Sequence, residues 1–186
     1  MRLVTRRIPA TETRPEKSKK GIYQIDDHFL RFWFRYVHPN QSSLDLGLAN
    51  AVLEQRIQPD LAHFVATAFE EAAQAFVTWN AQMGNLPFLP ERIGSWWDRS
   101  SEIDVVAISY AEKAALVGEC KWSINPVGVN IFEDLKRKSR ILESEYHIEE
   151  IHYALFSRAG FTPALEEQAS KEQISLYSLD SLMKYH

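Results

Sequence analysis

The alternation of hydrophobic and polar positions is clearest between residues 96 and 122. Two apolar runs, 103–108 and 114–120, are separated by a polar break at 109–113. Short apolar runs on either side of a polar turn are typical of buried β-strands. The pattern therefore predicts an antiparallel hairpin of two largely buried strands at the centre of the fold.

Helical periodicity surrounds this hairpin. Residues 59–79 place apolar side chains on one broad face behind Pro59, and residues 129–145 form a second amphipathic pattern. The other predicted elements are strands at 92–97, 151–157 and 174–177, a helix from Pro163 to Lys171 capped by Thr162, and a terminal helix at 178–185. This order predicts an α/β fold with a mixed sheet covered by helices on both faces.

The N-terminal part has a different character. Residues 1–20 are basic and broken by Pro9 and Pro15, and a strand at 3–8 has no evident partner. We interpret them as a lead-in, the tail of a preceding domain, and expect them to be poorly supported without a partner. Residues 21–58 are interpreted as an aromatic helical linker region and 59–186 as the main domain.

An aromatic helix is predicted at 29–37, with Asp26 or Asp27 as its N-cap and an end at 38–40. Its aromatic side chains suit two roles, a platform for nucleic-acid bases or a packing surface. A helix that is apolar on nearly all sides is usually buried, so packing against the chain or a second copy is favoured.

Composition narrows the class of protein. The net charge of −4 argues against a broadly basic surface but leaves room for a local basic patch at 136–140. Cys120 is the only cysteine, which excludes an internal disulfide and a cysteine-based zinc site. No apolar run reaches the roughly 20 residues of a membrane helix, and residues 1–20 lack the apolar core of a signal peptide. A cytoplasmic location is predicted.

Charged residues within the predicted hairpin indicate a site. Glu102 and Asp104 lie on the first strand, and Glu119 and Lys121 share one face of the second. Such charges must be paired, solvated or bound to a metal when their neighbours are apolar. Two carboxylates beside a lysine suit a divalent-metal phosphodiesterase. Glu70, at the margin of the apolar stripe of the long helix, is equally suited to be a solvent-facing charge.

The same residues carry a resemblance. The segments KKGIYQIDDHFLRFWFRYVHPN, FEEAA, IGSWWD and EIDVVAI…LVGECKW together resemble the PD-(D/E)XK nuclease superfamily, with its restriction-endonuclease-like fold. More narrowly, they are similar to the C-terminal domain of archaeal-type P-loop ATPases, which occur in archaea and bacteria. The resemblance spans about residues 1 to 160.

The resemblance implies roles for matching positions only. Asp104 and Glu119 would bind Mg²⁺ or Mn²⁺, and Glu70 would contact the metal through water. Lys121 would orient or activate the attacking water, or stabilise the transition state. Glu102 is a candidate outer ligand. Ile103 stands where the superfamily pattern has a proline.

The resemblance also implies partners. The main domain would be preceded in the parent protein by a P-loop ATPase domain and a winged helix, to which residues 1–20 would belong. The chain has no GxxxxGK[ST] motif and therefore no ATP site of that kind. DNA is the expected partner, no membrane is, and a homo-oligomer stays open.

Three functions are compared. One is a metal-dependent DNA endonuclease, and another is a non-catalytic DNA-binding, regulatory or interaction domain of the ATPase. The third is a purely structural, buried ion-pair network of Asp104, Glu119 and Lys121. It is least favoured because apolar residues usually stabilise a core at least as much as buried ion pairs do. Whether the domain is an active enzyme stays open.

Overall fold

The computed structural model describes residues 3–184 and contains a five-stranded mixed sheet in the order β3-β4-β5-β6-β7. Its strands are β3 (Arg92–Trp97), β4 (Glu102–Ser109), β5 (Ala114–Lys121), β6 (Glu150–Ser157) and β7 (Ser175–Ser178). The strands β3, β4 and β5 are antiparallel neighbours, whereas β6 and β7 run parallel to β5. The predicted central hairpin is confirmed as β4–β5.

Helices cover both faces of this sheet. They are α4 (Gln58–Gln82), α5 (Val129–Tyr146), α6 (Pro163–Glu172) and α7 (Leu179–Met183). The helices α5 and α6 provide the two crossovers that parallel pairing of β5, β6 and β7 requires. The α/β class, the mixed sheet and the predicted order of elements are therefore confirmed. Tyr185 of the predicted terminal helix, like residues 1, 2 and 186, lies outside the described residues.

The core consists of one apolar layer on each face of the sheet. Phe132, Leu135 and Leu142 of α5 are fully buried on one face, together with Val117 of β5. The other layer joins α4 and α7 to the sheet through Phe69, Phe76, Val105, Phe156 and Leu182. These two layers hold the hairpin rigidly from both sides, so residues at its open end have fixed positions.

Local signals account for the helix boundaries. Asp27 is the N-cap of α1 (His28–Phe32), because its carboxylate accepts the backbone N–H of Leu30. Thr162 caps α6 in the same way, with Pro163 in the first turn. Both predicted caps are confirmed.

The aromatic helix is less buried than its composition predicts. It continues from α1 through a π-helical turn (Trp33–Val37) into a 3₁₀ turn (His38–Asn40). Tyr36 is buried against Phe64 of α4, and its hydroxyl donates to Asp60. Phe29 and Phe34, however, are 67% and 51% exposed. Among residues 28–37 of this helix, Tyr36 is therefore the one that is fully buried. Two short helices, α2 (Gln41–Asp45) and α3 (Ala49–Val52), lead on to α4.

The lead-in is better supported than predicted. Strand β1 (Val4–Arg7) pairs antiparallel with β2 (Ile22–Ile25), so the statement that a strand at 3–8 lacks a partner is wrong. Beyond β1, the backbone N–H of Ala10 donates to the carbonyl of Ser95, and the Tyr110 hydroxyl donates to the carbonyl of Thr11. The boundary after residue 20 therefore falls between two paired strands. The assignment of this segment to a winged helix stays a prediction.

Among residues 3–184, no helix combines the length and the apolar character that crossing a membrane would require.

Candidate functional site

The candidate site lies where β4 and β5 separate. Their regular pairing ends at Val105 and Gly118, and Asp104 and Glu119 are the next residues on the two strands. The Cys120 backbone N–H is buried at this point and donates to Asp104 Oδ2 over 2.8 Å. A carboxylate thus takes the place of a strand partner for this N–H group.

A β-bulge determines how Asp104 is presented. Between the pairs Gly94–Val106 and Trp96–Ile103, β3 advances by two residues and β4 by three. The extra residue of β4 lies at 104–105, opposite Ser95. Bulges of this kind bend a strand and re-aim side chains, and they are frequent beside active sites. Ile103 consequently packs in the same apolar layer as Val106.

Burial and neighbouring charge act on Asp104 together. Burial and, after it, the Glu119 carboxylate raise the pKa of its carboxyl, which reaches about 7. The Cys120 N–H and, more weakly, Lys121 oppose this rise. Gln74 of α4 donates to the Asp104 carbonyl over 2.7 Å, which ties the end of β4 to the long helix.

Glu119 is the most buried carboxylate of the site, with 6% of its surface exposed. Two lysines neutralise it. Lys121 Nζ lies 2.7 Å from Oε1, and Lys138 Nζ of α5 lies 3.1 Å from Oε2. Burial lowers the pKa of Lys138, but the charge and hydrogen bonds of Glu119 and Asp134 outweigh it and raise that pKa. The ammonium of Lys138 is therefore a fixed charge of the site.

Glu70 of α4 is half-buried on the margin of the same cluster. Burial raises the pKa of its carboxyl, the charges of Glu102 and Glu119 add to this, and Arg7 opposes it. Within residues 3–184, the Glu70 carboxylate has no hydrogen bond or ion pair. Glu102 is exposed at the start of β4. The four predicted residues, Asp104, Glu119, Lys121 and Glu70, thus act on one another electrostatically, while their catalytic and metal-binding roles stay predictions.

The donor set was compared with the needs of a divalent cation. Among residues 3–184, no group of three or more His, Cys, Asp or Glu side chains is arranged to hold a metal ion. Mg²⁺, however, keeps several waters and is commonly bound by only one or two carboxylates. Asp104 carries a raised pKa and lacks a lysine within ion-pair distance, so a cation would relieve its repulsion with Glu119. In this respect the residues present fit a magnesium site.

Lys138 is the site residue that sequence reasoning missed. The basic run at 136–140 predicts a local surface patch that includes Lys138, whereas the structure pairs Lys138 with buried Glu119 of the sheet. Position 138 lies three residues after Leu135 and four before Leu142, both fully buried. Its helical spacing was therefore the signal that it faces the sheet.

The remaining basic residues of α5 differ in their availability. Lys136 lies over the Phe132 ring and pairs with Glu133, and Arg137 pairs with Asp134. Arg140 is exposed, without an ion pair to residues 3–184. A groove of about 620 Å³ separates this surface from the β3–β4 turn. Its lining includes Trp96, Asp98, Ser101, Arg137, Lys138 and Arg140.

A second cavity lies on the other side of the same turn. It has a volume of about 400 Å³ and is bounded by the β1–β2 hairpin and the turn. Its lining includes Arg7, Gln24, Asp98, Ser100, Ser101 and Glu102. The lead-in strand β1 therefore contributes a guanidinium to the surroundings of the carboxylate cluster.

The chain is similar to a curated relative and to a solved structure. The chain is 36% identical over 157 residues to an uncharacterized protein of Methanocaldococcus jannaschii, covering 83% of this chain and 34% of the relative. The chain thus spans about a third of that relative's length. The crystal structure of a repair endonuclease from Pyrococcus abyssi shares 19% identity, with a TM-score of 0.43 over 59% of this chain and 46% of that chain.

A family match covers more than half of the chain. The DUF234 family, described as archaeal and bacterial proteins of unknown function, matches residues 33–138. These residues run from the aromatic helix to Lys138 and include Glu70, Asp104, Glu119 and Lys121. The family resemblance drawn from the sequence is confirmed at this level: the chain belongs to the DUF234 family.

Proposed function

We propose that this chain is a Mg²⁺- or Mn²⁺-dependent DNA nuclease domain of the PD-(D/E)XK type. The observation that carries the proposal is the cluster at the open end of β4–β5, where the N–H of Cys120, next to Glu119, donates to Asp104 and Lys121 Nζ lies 2.7 Å from Glu119 Oε1. The residues of the site are a carboxylate poised near pH 7, a buried carboxylate and two ammonium groups. This set supports hydrolysis of a phosphodiester.

Asp104 and Glu119 would hold the cation, and Glu70 would act through a water molecule. A bound divalent cation supplies Lewis-acid polarisation of a phosphate oxygen and a water of lowered pKa. Asp104 would give up its proton when it becomes a ligand, because only the carboxylate form binds. The Cys120 N–H would keep Asp104 in position during this change.

Lys121 and Lys138 would have different roles. Lys121 is the more exposed, at 35% of its side chain against 15% for Lys138. Lys121 would therefore reach a non-bridging phosphate oxygen and stabilise the negative charge of the transition state. Lys138 would stay on Glu119 and keep that carboxylate ionised and oriented.

Substrate binding would involve the basic surface of α5 beside the groove. Arg140 offers an unpaired guanidinium, and Arg137 lines the same groove. Because the chain carries a net charge of −4, this local surface would bind DNA weakly, and the binding would fall steeply with salt.

The parent protein is part of the proposal. The chain spans only about a third of its curated relative, which leaves ample length for other domains there. We propose that a P-loop ATPase domain and a winged helix precede this domain in the parent protein. We also propose a cytoplasmic location, and the chain could form a homo-oligomer.

Cleavage of supercoiled and branched DNA with Mg²⁺ and with Mn²⁺ tests the proposal. Wild type should nick DNA slowly, and Asp104→Ala and Glu119→Ala should abolish nicking. Lys121→Ala should lose rate more than metal affinity. Glu166→Gln, an exposed carboxylate on α6 away from both cavities, is the matched control and should keep full activity. Equal activity in wild type and Asp104→Ala would identify a contaminant and reject the proposal.

A non-catalytic interaction domain is the second candidate. Two observations favour it: Lys121 and Lys138 both pair with Glu119, and Phe29 and Phe34 are exposed on the aromatic helix. Exposed aromatic side chains of this kind are frequent at protein interfaces. Absence of both cleavage and Mn²⁺ binding in the wild type would select this second function.

A further inference from the structure

Arg7, on strand β1, places its guanidinium in the cavity beside the candidate site. Strand β1 pairs with β2 from Val4 to Arg7, and three residues later the chain is anchored by the Ala10 N–H on the Ser95 carbonyl. Arg7 therefore sits between two fixed points, beside the strand position that faces the bulge of β4. Its location is set by backbone pairing and does not depend on its own side-chain contacts.

The partners of Arg7 are neutral. Its Nη2 donates to Ser95 Oγ over 2.7 Å and its Nη1 to Gln24 Oε1 over 3.4 Å. It is half-buried, yet within residues 3–184 no carboxylate forms an ion pair with it. A guanidinium has five N–H donors in a planar fork suited to phosphate, and two of them are used here. The arrangement leaves donors and a net positive charge for a ligand.

The cavity beside Arg7 has room for one nucleotide. Its volume of about 400 Å³ lies in the usual range of small-molecule sites. Ser100, Ser101 and the Gln24 amide also line it, and Glu102 connects it to β4, two residues before Asp104.

The two acidic groups of the cavity limit what binds there. Asp98 Oδ1 accepts hydrogen bonds from the backbone N–H groups of Ser100 and Ser101, so its carboxylate stabilises the β3–β4 turn. Within residues 3–184, Glu102 has no ion pair, and its charge would repel a free anion. A phosphate held on both sides by a longer chain is less affected, because its other contacts bring it to Arg7. These charges favour a DNA strand over inorganic phosphate.

We propose that Arg7 contacts a backbone phosphate adjacent to the scissile one, with one nucleotide of the DNA strand in the cavity between β1–β2 and the β3–β4 turn. This rests on the proposed function for its substrate class. The lead-in then forms one wall of the substrate cleft, and the basic surface of α5 forms the other.

DNA binding measured by fluorescence anisotropy tests this, with Ca²⁺ in place of Mg²⁺ and a series of salt concentrations. Arg7→Gln keeps donors for Ser95 and removes the charge. It should raise Kd about tenfold. It should also reduce the slope of log Kd against log[salt] by about the amount expected for one phosphate contact. Arg7→Lys should restore the slope but only part of the affinity. Arg14→Ala, which removes an exposed charge from the same segment, is the control and should change Kd less than about twofold.

A neutral methylphosphonate moved along the DNA locates the contact. At one position it should weaken wild-type binding and leave Arg7→Gln binding unchanged. Three results would each overturn the proposal. The losses of affinity from the methylphosphonate and from Arg7→Gln could add at every position, Arg7→Gln could leave the salt dependence unchanged, or the wild type could fail to bind DNA. Wild-type binding that depends on Arg7, without cleavage in Mg²⁺ or Mn²⁺, would reject the nuclease and retain the Arg7 contact.

Discussion

Lys138 Nζ lies 3.1 Å from Glu119 Oε2 and joins α5 to the C-terminal end of β5. Lys138→Met keeps the apolar stem and removes the charge. It should lower the free energy of unfolding by about 1–3 kcal/mol, because buried Glu119 then keeps only Lys121. Chemical denaturation measures this loss. Lys171→Met removes an exposed pair with Glu167 and should leave stability unchanged. An equal loss in both variants would contradict a special role of the Lys138 pair.

The Asp104 carboxyl should make stability fall with rising pH. Its pKa in the folded protein is raised to about 7 from the ordinary 3.8, so the folded state keeps a proton that the unfolded chain has released. This stabilising contribution is complete below about pH 4 and is lost as pH rises to about 7. The free energy of unfolding of the wild type and of Asp104→Asn, measured in EDTA from about pH 4 to about pH 7, isolates the effect. A difference between the two proteins that does not change with pH would contradict it.

Metal binding should release a proton from Asp104. At pH 6, Mn²⁺ should displace nearly one proton, and at pH 8.5 almost none, because the carboxyl is then already ionised. Calorimetric titrations in two buffers of different ionisation enthalpy give this number. Glu166→Gln serves as the control, since its side chain is exposed on α6, away from the site. Proton release that is equal at both pH values would exclude Asp104 as the group concerned.

Gly118 should not tolerate a methyl group. A Cβ at this position would lie 2.9 Å from Phe156 Cε2 and 3.1 Å from Val105 Cβ, both fully buried. Gly118→Ala should lower the free energy of unfolding by about 1–3 kcal/mol through overpacking next to Glu119. Thermal unfolding measures it. Gly94→Ala, whose Cβ would meet only Ala10 at 3.7 Å, is the matched control and should be tolerated.

The sequence was most informative where local pattern and packing agree. The apolar runs of β4 and β5, the Thr162 cap and the stripe of α4 all lead directly to the observed elements. The carboxylates Asp104 and Glu119 were identified because a charge between buried residues demands an explanation. These features depend on neighbours within a few positions, which a single sequence displays.

The missed features are those set by distant contacts. Strand β1 finds its partner beyond a loop that contains Pro15, and Ala10 is held by Ser95, which is far away in the chain. The bulge at 104–105 exists only relative to β3, so the strand's own alternation cannot reveal it. The direction of Lys138 was available from its spacing, but the neighbouring basic residues concealed it.

The position of β5 between β4 and β6 matters for any attempt to produce a shorter protein. The family match ends at Lys138, inside α5, before β6 and β7. A recombinant fragment cut there would lose half of that helix and leave the whole length of β5 with an unpaired edge. The exposed edge of β5, which contains Leu116 and Val117, would pair with strands of other copies and cause precipitation. Expression should therefore extend through β7, even though every residue of the carboxylate cluster lies before Lys138.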